Sequence, residues 1–185
     1  VILGLSGGVD SECTMEEWIT LENNVVKVRC RLNNARSDTS FYGGFSQELP
    51  ALYTNPPFRR IFTYNGTSPF TGGALTQIIK AGPPWTSFHA TEQWTALVDT
   101  SDWGVGLYHP GVQYTLGGTA GAGSSVDWYD TAYVSPIVGE HLDHNIVYDY
   151  EYYLVVGSLT EIRDYVYAHR PPVLPHWHFR KDRQH

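Results

Sequence analysis

The sequence predicts an all-β protein, an antiparallel β-sandwich with one short helix near its C-terminus. Three observations support this prediction: strand-length segments of alternating apolar and polar residues, turn residues between those segments, and one clear helix-capping pattern. The 185 residues include 18 Gly, 11 Pro and 13 Tyr, a composition typical of strands and turns. This length suits a single domain, which we place at residues 13–185, behind an N-terminal arm at residues 1–12.

A β-hairpin is predicted at the start of the domain. Residues 18–21 (WITL) form one strand, residues 22–24 (ENN) the turn, and residues 25–32 (VVKVRCRL) the returning strand. In the returning strand, apolar side chains recur at every second position, so we expect one face of this hairpin to be buried.

Further strands are predicted along the rest of the chain, at residues 60–64, 93–98, 103–108 and 145–156. The dipeptide Asn65-Gly66 predicts a tight hairpin directly after the first of these strands. The segment 117–125, rich in Gly, Ala and Ser, is predicted to be a loop. In the longest strand, tyrosines on one face alternate with acidic residues on the other.

The helix is predicted to begin after Ser158. Ser158 and Glu161 have the spacing of a capping box, in which each side chain binds the backbone N–H of the other residue. Ile162 and Val166 then share one face at helical spacing, and Pro171 ends the helix.

Charge and cysteine content restrict the class of protein. Twelve basic and nineteen acidic residues give a net charge of −7 without a basic stripe, which argues against a nucleic-acid partner. No apolar run approaches the ~18 residues of a membrane span. Charged residues make up only 17%, and Cys13 and Cys30 either form one disulfide or remain two free thiols. Together these features favour a secreted, extracellular protein.

Aromatic residues are concentrated between residues 85 and 133, where Gly, Thr, Ser and Asp separate them. The rings are Trp85, Trp94, Trp103, Tyr108, Tyr114, Trp128, Tyr129 and Tyr133. Such rings either fill the core of a β-domain or form a platform on which a sugar ring stacks. The second interpretation predicts a carbohydrate ligand stacked against Trp94 or Trp103. Its hydrogen-bonding groups would then be His89, Glu92, Asp102 and His109.

Several carboxylates are candidates for acid–base catalysis, because glycoside hydrolysis commonly needs two of them. The candidates are Glu48, Glu92, Asp149 and Glu151. Asp149 and Glu151 are expected to project from one strand face about 7 Å apart, where they could also bind calcium. The alternative is that each acid is solvated or salt-bridged.

Histidine spacing does not predict a metal site. His141 and His144, and His176 and His178, are the only close pairs, and a zinc site needs three or four ligands. We therefore expect no metal cofactor, with calcium as the one alternative.

Two segments resemble the large β-sandwich domains of carbohydrate-active proteins, of the galactose-mutarotase-like supersandwich kind. They are residues 18–34 (WITLENNVVKVRCRLNN) and residues 92–108 (EQWTALVDTSDWGVGLY). This resemblance implies a sugar-related role, as an accessory or partial domain of a longer protein. It implies no catalytic residue, because no motif of those domains matches here.

The sequence therefore supports three functional hypotheses. The first is an extracellular domain that binds or helps to process carbohydrate. The second is a glycoside hydrolase or lyase that uses paired carboxylates. The third is a structural subunit of an extracellular assembly, which self-associates through the N-terminal arm or the aromatic C-terminal strand.

Overall fold

The computed structural model describes residues 5–6, 9–10, 12–41, 45–121, 130–140 and 146–171. It shows two antiparallel sheets and one C-terminal helix, which confirms the predicted all-β sandwich. The strands are β1 (Leu5–Ser6), β2 (Val9–Asp10), β3 (Cys13–Glu22), β4 (Val25–Asn34), β5 (Phe45–Glu48), β6 (Leu52–Thr54), β7 (Arg60–Thr63), β8 (Thr76–Ile78), β9 (Thr86–His89), β10 (Trp94–Val98), β11 (Trp103–Tyr108), β12 (Tyr114–Ala120), β13 (Thr131–Glu140) and β14 (Ile146–Ser158). The helix, α1, spans Leu159–His169.

The first sheet has seven strands in the order β3-β4-β14-β11-β10-β7-β8. The predicted hairpin is confirmed, because β3 pairs with β4 from Cys13 opposite Asn34 to Glu22 opposite Val25. Strand β14 pairs with β4 on one side and with β11 on the other. The pairing with β11 covers Tyr153–Ser158, whereas the pairing with β4 covers Ile146–Val155, and self-association through this strand remains a prediction.

The second sheet contains β5, β13, β12 and β9 in that order, and β6 also pairs with β13. It packs on the first sheet through Phe88, Ala132 and Val134, which meet Leu97 and Leu107 of the first sheet in one buried cluster. This contact between the two sheets makes the fold a sandwich.

Two local predictions are wrong. Strand β7 pairs with β8, so residues 64–75 connect the strands where Asn65-Gly66 predicted a tight hairpin. Residues 117–120 of the segment predicted as a loop belong to β12, and residues 122–125 of that segment lie outside the described residues. Close packing between the strands requires a glycine at position 117. A Cβ there would lie 2.5 Å from the carbonyl oxygen of Tyr133, which is too close for any other residue.

Helix α1 covers the face of the first sheet that points away from the second sheet. Ile162 and Val166 are fully buried against Trp94, Ala96 and Tyr108. The predicted capping box is confirmed: Ser158 N donates to Glu161 Oε2 at 2.7 Å, and Glu161 N donates to Ser158 Oγ at 3.3 Å. The molecule thus has three layers, with α1 and the second sheet on opposite faces of the first sheet.

The two cysteines are free thiols, so the disulfide alternative is wrong. Cys13 lies opposite Asn34, whereas Cys30 lies opposite Glu17. Four residue positions, roughly 13 Å along a strand, therefore separate them. A disulfide requires Cα atoms within about 7 Å.

Within the described residues, no helix combines the length and the apolar character that crossing a bilayer requires.

Candidate functional site

The predicted ligand-binding residues do not form one site. Trp94 is only 1% exposed and Glu92 is fully buried, both in the layer under α1. Trp94 therefore cannot be a stacking platform, and its assignment to the ligand site is wrong. Its ring fills the core, which was the alternative interpretation of the aromatic residues.

Glu92 is held by a complete set of partners. Its carboxylate accepts hydrogen bonds from Arg163, from the Tyr167 hydroxyl at 2.6 Å, from the Phe70 amide at 2.8 Å and from Trp94 Nε1 at 3.1 Å. Burial alone would raise the pKa of Glu92, but the hydrogen bonds from Arg163 and the other donors outweigh it and lower the pKa. A buried carboxylate that is ionised near neutral pH and already accepts from four donor residues is unsuited to acid–base work, so Glu92 is a structural residue.

Trp103 and Asp102 lie at the turn between β10 and β11. Trp103 is 46% exposed and borders an apolar cleft of about 270 Å³ with Phe58, Val105 and Val156. The Asp102 carboxylate is paired with Arg60. Because the described lining of this cleft has no polar side chain, it offers little to the hydroxyls of a sugar.

The second sheet carries a different group of rings and polar side chains on its outer face. Trp85, Ser87 and His89 alternate along the chain at and before β9, and Tyr114 lies opposite His89 in β12. On the other side of β12, Tyr133 lies opposite Gly118. Trp85, Ser87 and Tyr114 line a cleft of about 370 Å³, here called the tryptophan cleft, whose lining also includes Ser46, Glu48 and Ile137.

The Trp85 ring is fixed from beneath. A Cβ on Gly82 would overlap this ring, and a Cβ on Gly118 would lie 3.3 Å from it. The ring also contacts Tyr133, with the two ring centroids 4.9 Å apart. A half-buried indole packed in this way presents its remaining surface to the cleft with little conformational freedom to lose on binding.

Glu48 is positioned by Tyr133 beneath the cleft. The fully buried Tyr133 donates its hydroxyl hydrogen bond to Glu48 Oε2. Burial, together with this hydrogen bond to Glu48, raises the pKa of Tyr133 well above its usual value. The phenol therefore stays protonated and continues to donate, which leaves the other lone pairs of the exposed carboxylate for ligand hydroxyls.

Two more clefts continue from the tryptophan cleft. The first, here called the middle cleft, has a volume of about 370 Å³ and is lined by residues including His89, Val112, Tyr114, Ile137, Val138 and Gly139. The second, here called the histidine cleft, has a volume of about 490 Å³, and its lining includes Arg29, His109, Val112, Val138, Tyr150 and Glu151. The predicted residues His89, His109 and Glu48 thus lie along one surface, while Trp94, Glu92, Trp103 and Asp102 lie elsewhere.

His109 is 5% exposed and its ring is parallel to that of Tyr150, with an interplanar angle of 7° and centroids 6.1 Å apart. Its Nδ1 lies 3.2 Å from the Pro110 carbonyl oxygen. Because a carbonyl only accepts, Nδ1 carries the proton, and Nε2 of the neutral ring is an acceptor. Nε2 has no hydrogen-bond partner among the described residues.

The burial of His109 predicts a pH dependence of stability. Burial lowers the pKa of His109 from the usual 6.5, although the Pro110 carbonyl opposes this shift. Above pH 6.5 the ring is neutral in both states. As the pH falls from 6.5 towards the lowered pKa of the folded state, the unfolded chain takes up a proton that the folded protein does not, so the free energy of unfolding decreases, by at most about 1.4 kcal/mol per pH unit.

Urea denaturation between pH 8 and pH 5 measures this decrease. His109→Gln should remove it, whereas the control His89→Gln, which changes an exposed histidine, should leave it. Identical pH profiles for the two variants would contradict the assignment to His109.

Asp149 and Glu151 both border the histidine cleft, but both are engaged in ion pairs. Asp149 binds Arg31 through two hydrogen bonds of 2.8 and 2.9 Å, which hold its pKa below the usual value. Burial would raise the pKa of Glu151, but hydrogen bonds from Tyr153 and Lys27 lower it. Neither acid keeps a proton near neutral pH, so this pair lacks the general acid that glycoside hydrolysis requires.

The sequence contained a signal that groups Trp85 and His89 with Ser87, although the prediction did not place these three residues together. Trp85, Ser87 and His89 occupy alternate positions, and Thr86 and Phe88 lie between them. This period of two predicts a strand with one aromatic, polar face. The local pattern does not reveal that β9 pairs with β12, and this pairing brings Tyr114 next to the same face.

The described residues contain no group of three or more His, Cys, Asp or Glu that could hold a metal ion. The histidine pairs at 141 and 144 and at 176 and 178, and the rings of Trp128 and Tyr129, lie outside those residues. Comparison with known proteins gives no matching family model and no matching curated sequence. The chemistry of the three clefts is therefore the basis for assigning a function.

Proposed function

We propose that this protein binds carbohydrate in the tryptophan cleft. The observation that supports this proposal is the fixed, half-buried Trp85 ring beside the 44%-exposed Tyr114 ring, with Glu48 in the same lining. The rings supply flat apolar area for the C–H face of a sugar. The carboxylate and the nearby serine hydroxyls of Ser46 and Ser87 supply hydrogen bonds to its hydroxyls.

Binding is favoured over hydrolysis by the arrangement of acids. Of the described residues that line the tryptophan cleft, Glu48 is the single carboxylate. Glycoside hydrolysis by the usual mechanism needs a second carboxylate about 5–10 Å away. An extracellular location, and the resemblance to supersandwich domains, are consistent with a sugar-binding role and remain predictions.

The test is a titration of the full chain with oligosaccharides, followed by tryptophan fluorescence and calorimetry. The panel contains gluco-, xylo-, manno- and galacturono-oligosaccharides, so that neutral and acidic sugars are both represented. We expect one series to bind, and Trp85→Ala to weaken that binding about tenfold or more, since a stacked ring contributes over 1 kcal/mol through contact and burial.

Trp103→Ala is the matched control, because it removes a second surface tryptophan outside the three clefts. It should leave the affinity unchanged. Tyr114→Ala is an independent variant at the same cleft, and it should weaken binding as Trp85→Ala does. The proposal would be wrong if no sugar of the panel bound, or if Trp103→Ala abolished binding and Trp85→Ala did not.

A further inference from the structure

We infer that the carbohydrate is an oligomer that extends from the tryptophan cleft through the middle cleft to the histidine cleft. This inference rests on the proposed function. The clefts are contiguous: Tyr114 and Ile137 line both the tryptophan cleft and the middle cleft, and Gly111, Val112 and Val138 line both the middle cleft and the histidine cleft. A ligand held on Trp85 therefore has a continuous surface to follow.

The middle cleft is shaped for the passage of a chain. Gly111 and Gly139 both line it, and a Cβ at either position would meet no atom within 4 Å. Both glycines therefore border open space. Side chains at these two positions would project into the path between the other two clefts, so their absence keeps that path open.

The histidine cleft at the far end has the chemistry of a hydroxyl-binding site. Nε2 of His109 is an acceptor without a described partner and is itself buried, so a ligand hydroxyl would satisfy it once the cleft adjusts locally to admit that hydroxyl. The Tyr150 ring stacks on His109, and Arg29 and Glu151 add a charged donor and acceptor to the lining. This lining suits a further sugar unit better than an apolar group.

Chain-length dependence of affinity tests the inference. The gluco-, xylo-, manno- and galacturono-oligosaccharides are each titrated from one to six units against the full chain. For the series that binds, we expect the hexasaccharide to bind at least about tenfold more tightly than the disaccharide. His109→Gln should reduce the affinity for the hexasaccharide and leave that for the disaccharide unchanged.

Gly139→Phe is the decisive variant, because Gly139 lines the middle cleft and a Cβ at this position meets no atom within 4 Å. It should remove the gain from chain length and leave disaccharide affinity unchanged, whereas the control Gly139→Ala should retain the gain. Unfolding midpoints of both variants verify the fold.

The outcomes separate the inference from the proposed function. Equal affinities for disaccharide and hexasaccharide, or a gain that persists in Gly139→Phe, would overturn the inference while Trp85-dependent binding still supported the proposed function. Absence of binding at every length would overturn the proposed function and the inference with it.

Discussion

Replacing Arg163 with Ala should destabilise the protein by about 3–5 kcal/mol, the usual cost of leaving a buried charge without its partner. Arg163 donates to both oxygens of the fully buried Glu92, at 2.9 and 3.2 Å, and to the carbonyl oxygen of Gly73 at 2.7 Å. In Arg163→Ala, the donors that remain to the Glu92 carboxylate are the neutral groups of Tyr167, Phe70 and Trp94. The measurement is urea denaturation at pH 7, with the free energy of unfolding compared between the variant and the wild type.

The same variant should respond to acid differently from the wild type. In the wild type the pKa of Glu92 is below its usual 4.5, so this carboxylate stabilises the fold above that pH and its contribution is lost as the pH falls through the lowered pKa. In Arg163→Ala, burial is no longer opposed by the guanidinium, so the pKa of Glu92 should rise. The destabilisation should then shrink as the pH is lowered towards 5, where the protonated carboxyl is tolerated.

Arg31→Ala is the control for this prediction, because Arg31 forms an ion pair with an exposed acid, Asp149. Exposed pairs of this kind contribute little, so its effect should be far smaller than that of Arg163→Ala. A second variant, Glu92→Gln with Arg163→Met, removes both charges and should be less destabilised than Arg163→Ala. Equal losses in Arg31→Ala and Arg163→Ala would contradict the assigned role.

Replacing Gly106 with Ala should destabilise the protein by about 1–3 kcal/mol through overpacking. Gly106 lies in β11 beneath α1, and a Cβ there would overlap Cγ2 of the fully buried Ile162. Either the helix moves away from the sheet or the strand bends. Thermal and urea unfolding measure the loss, and far-UV circular dichroism reports the helix.

Ile162→Ala provides the test of this cause. Ile162→Ala alone creates a cavity and should lower the free energy of unfolding by about 2–5 kcal/mol. When Gly106→Ala is added to Ile162→Ala, the further loss should be almost zero, because the overlapping Cγ2 atom is gone. The double-mutant cycle should therefore show strong coupling. Gly139→Ala is the matched control, since its Cβ meets open space, and it should leave stability nearly unchanged. Additive losses in the cycle would show that Gly106 is not limited by the helix.

Local patterns predicted the parts of the fold that depend on neighbours in the chain. The capping box of Ser158 and Glu161 specifies the start of α1 through groups three residues apart, and the 22–24 turn joins two strands that pair directly. Where pairing is distant, the prediction was wrong. The partner of β7 begins only at Thr76, and no local signal near Asn65-Gly66 could reveal it.

The residues predicted to bind a ligand and the residues of the proposed site coincide only in part. Trp94 and Glu92 have the sequence surroundings of a ligand site, yet α1, about 70 residues later in the chain, covers them. In the sequence, Trp85 has no feature that distinguishes it from the other tryptophans of this region. In the structure, Gly82, Gly118 and Tyr133 fix its ring beside an open cleft. Burial of an aromatic ring depends on contacts between distant segments, which a single sequence does not specify.

The three-layer arrangement places the buried ion pair under α1 and two of the three clefts in different layers of the molecule. The ion pair of Glu92 and Arg163 lies on the α1 side of the first sheet, whereas the tryptophan cleft and the middle cleft lie at the second sheet. The histidine cleft differs, because its lining includes Arg29 of β4 and residues 148–151 of β14 in the first sheet. Substitutions at well-separated positions have additive energies. Substitutions in the tryptophan cleft and the middle cleft should therefore leave the energy of this ion pair nearly unchanged, so these two surfaces can be redesigned, or diversify in evolution, on a constant scaffold.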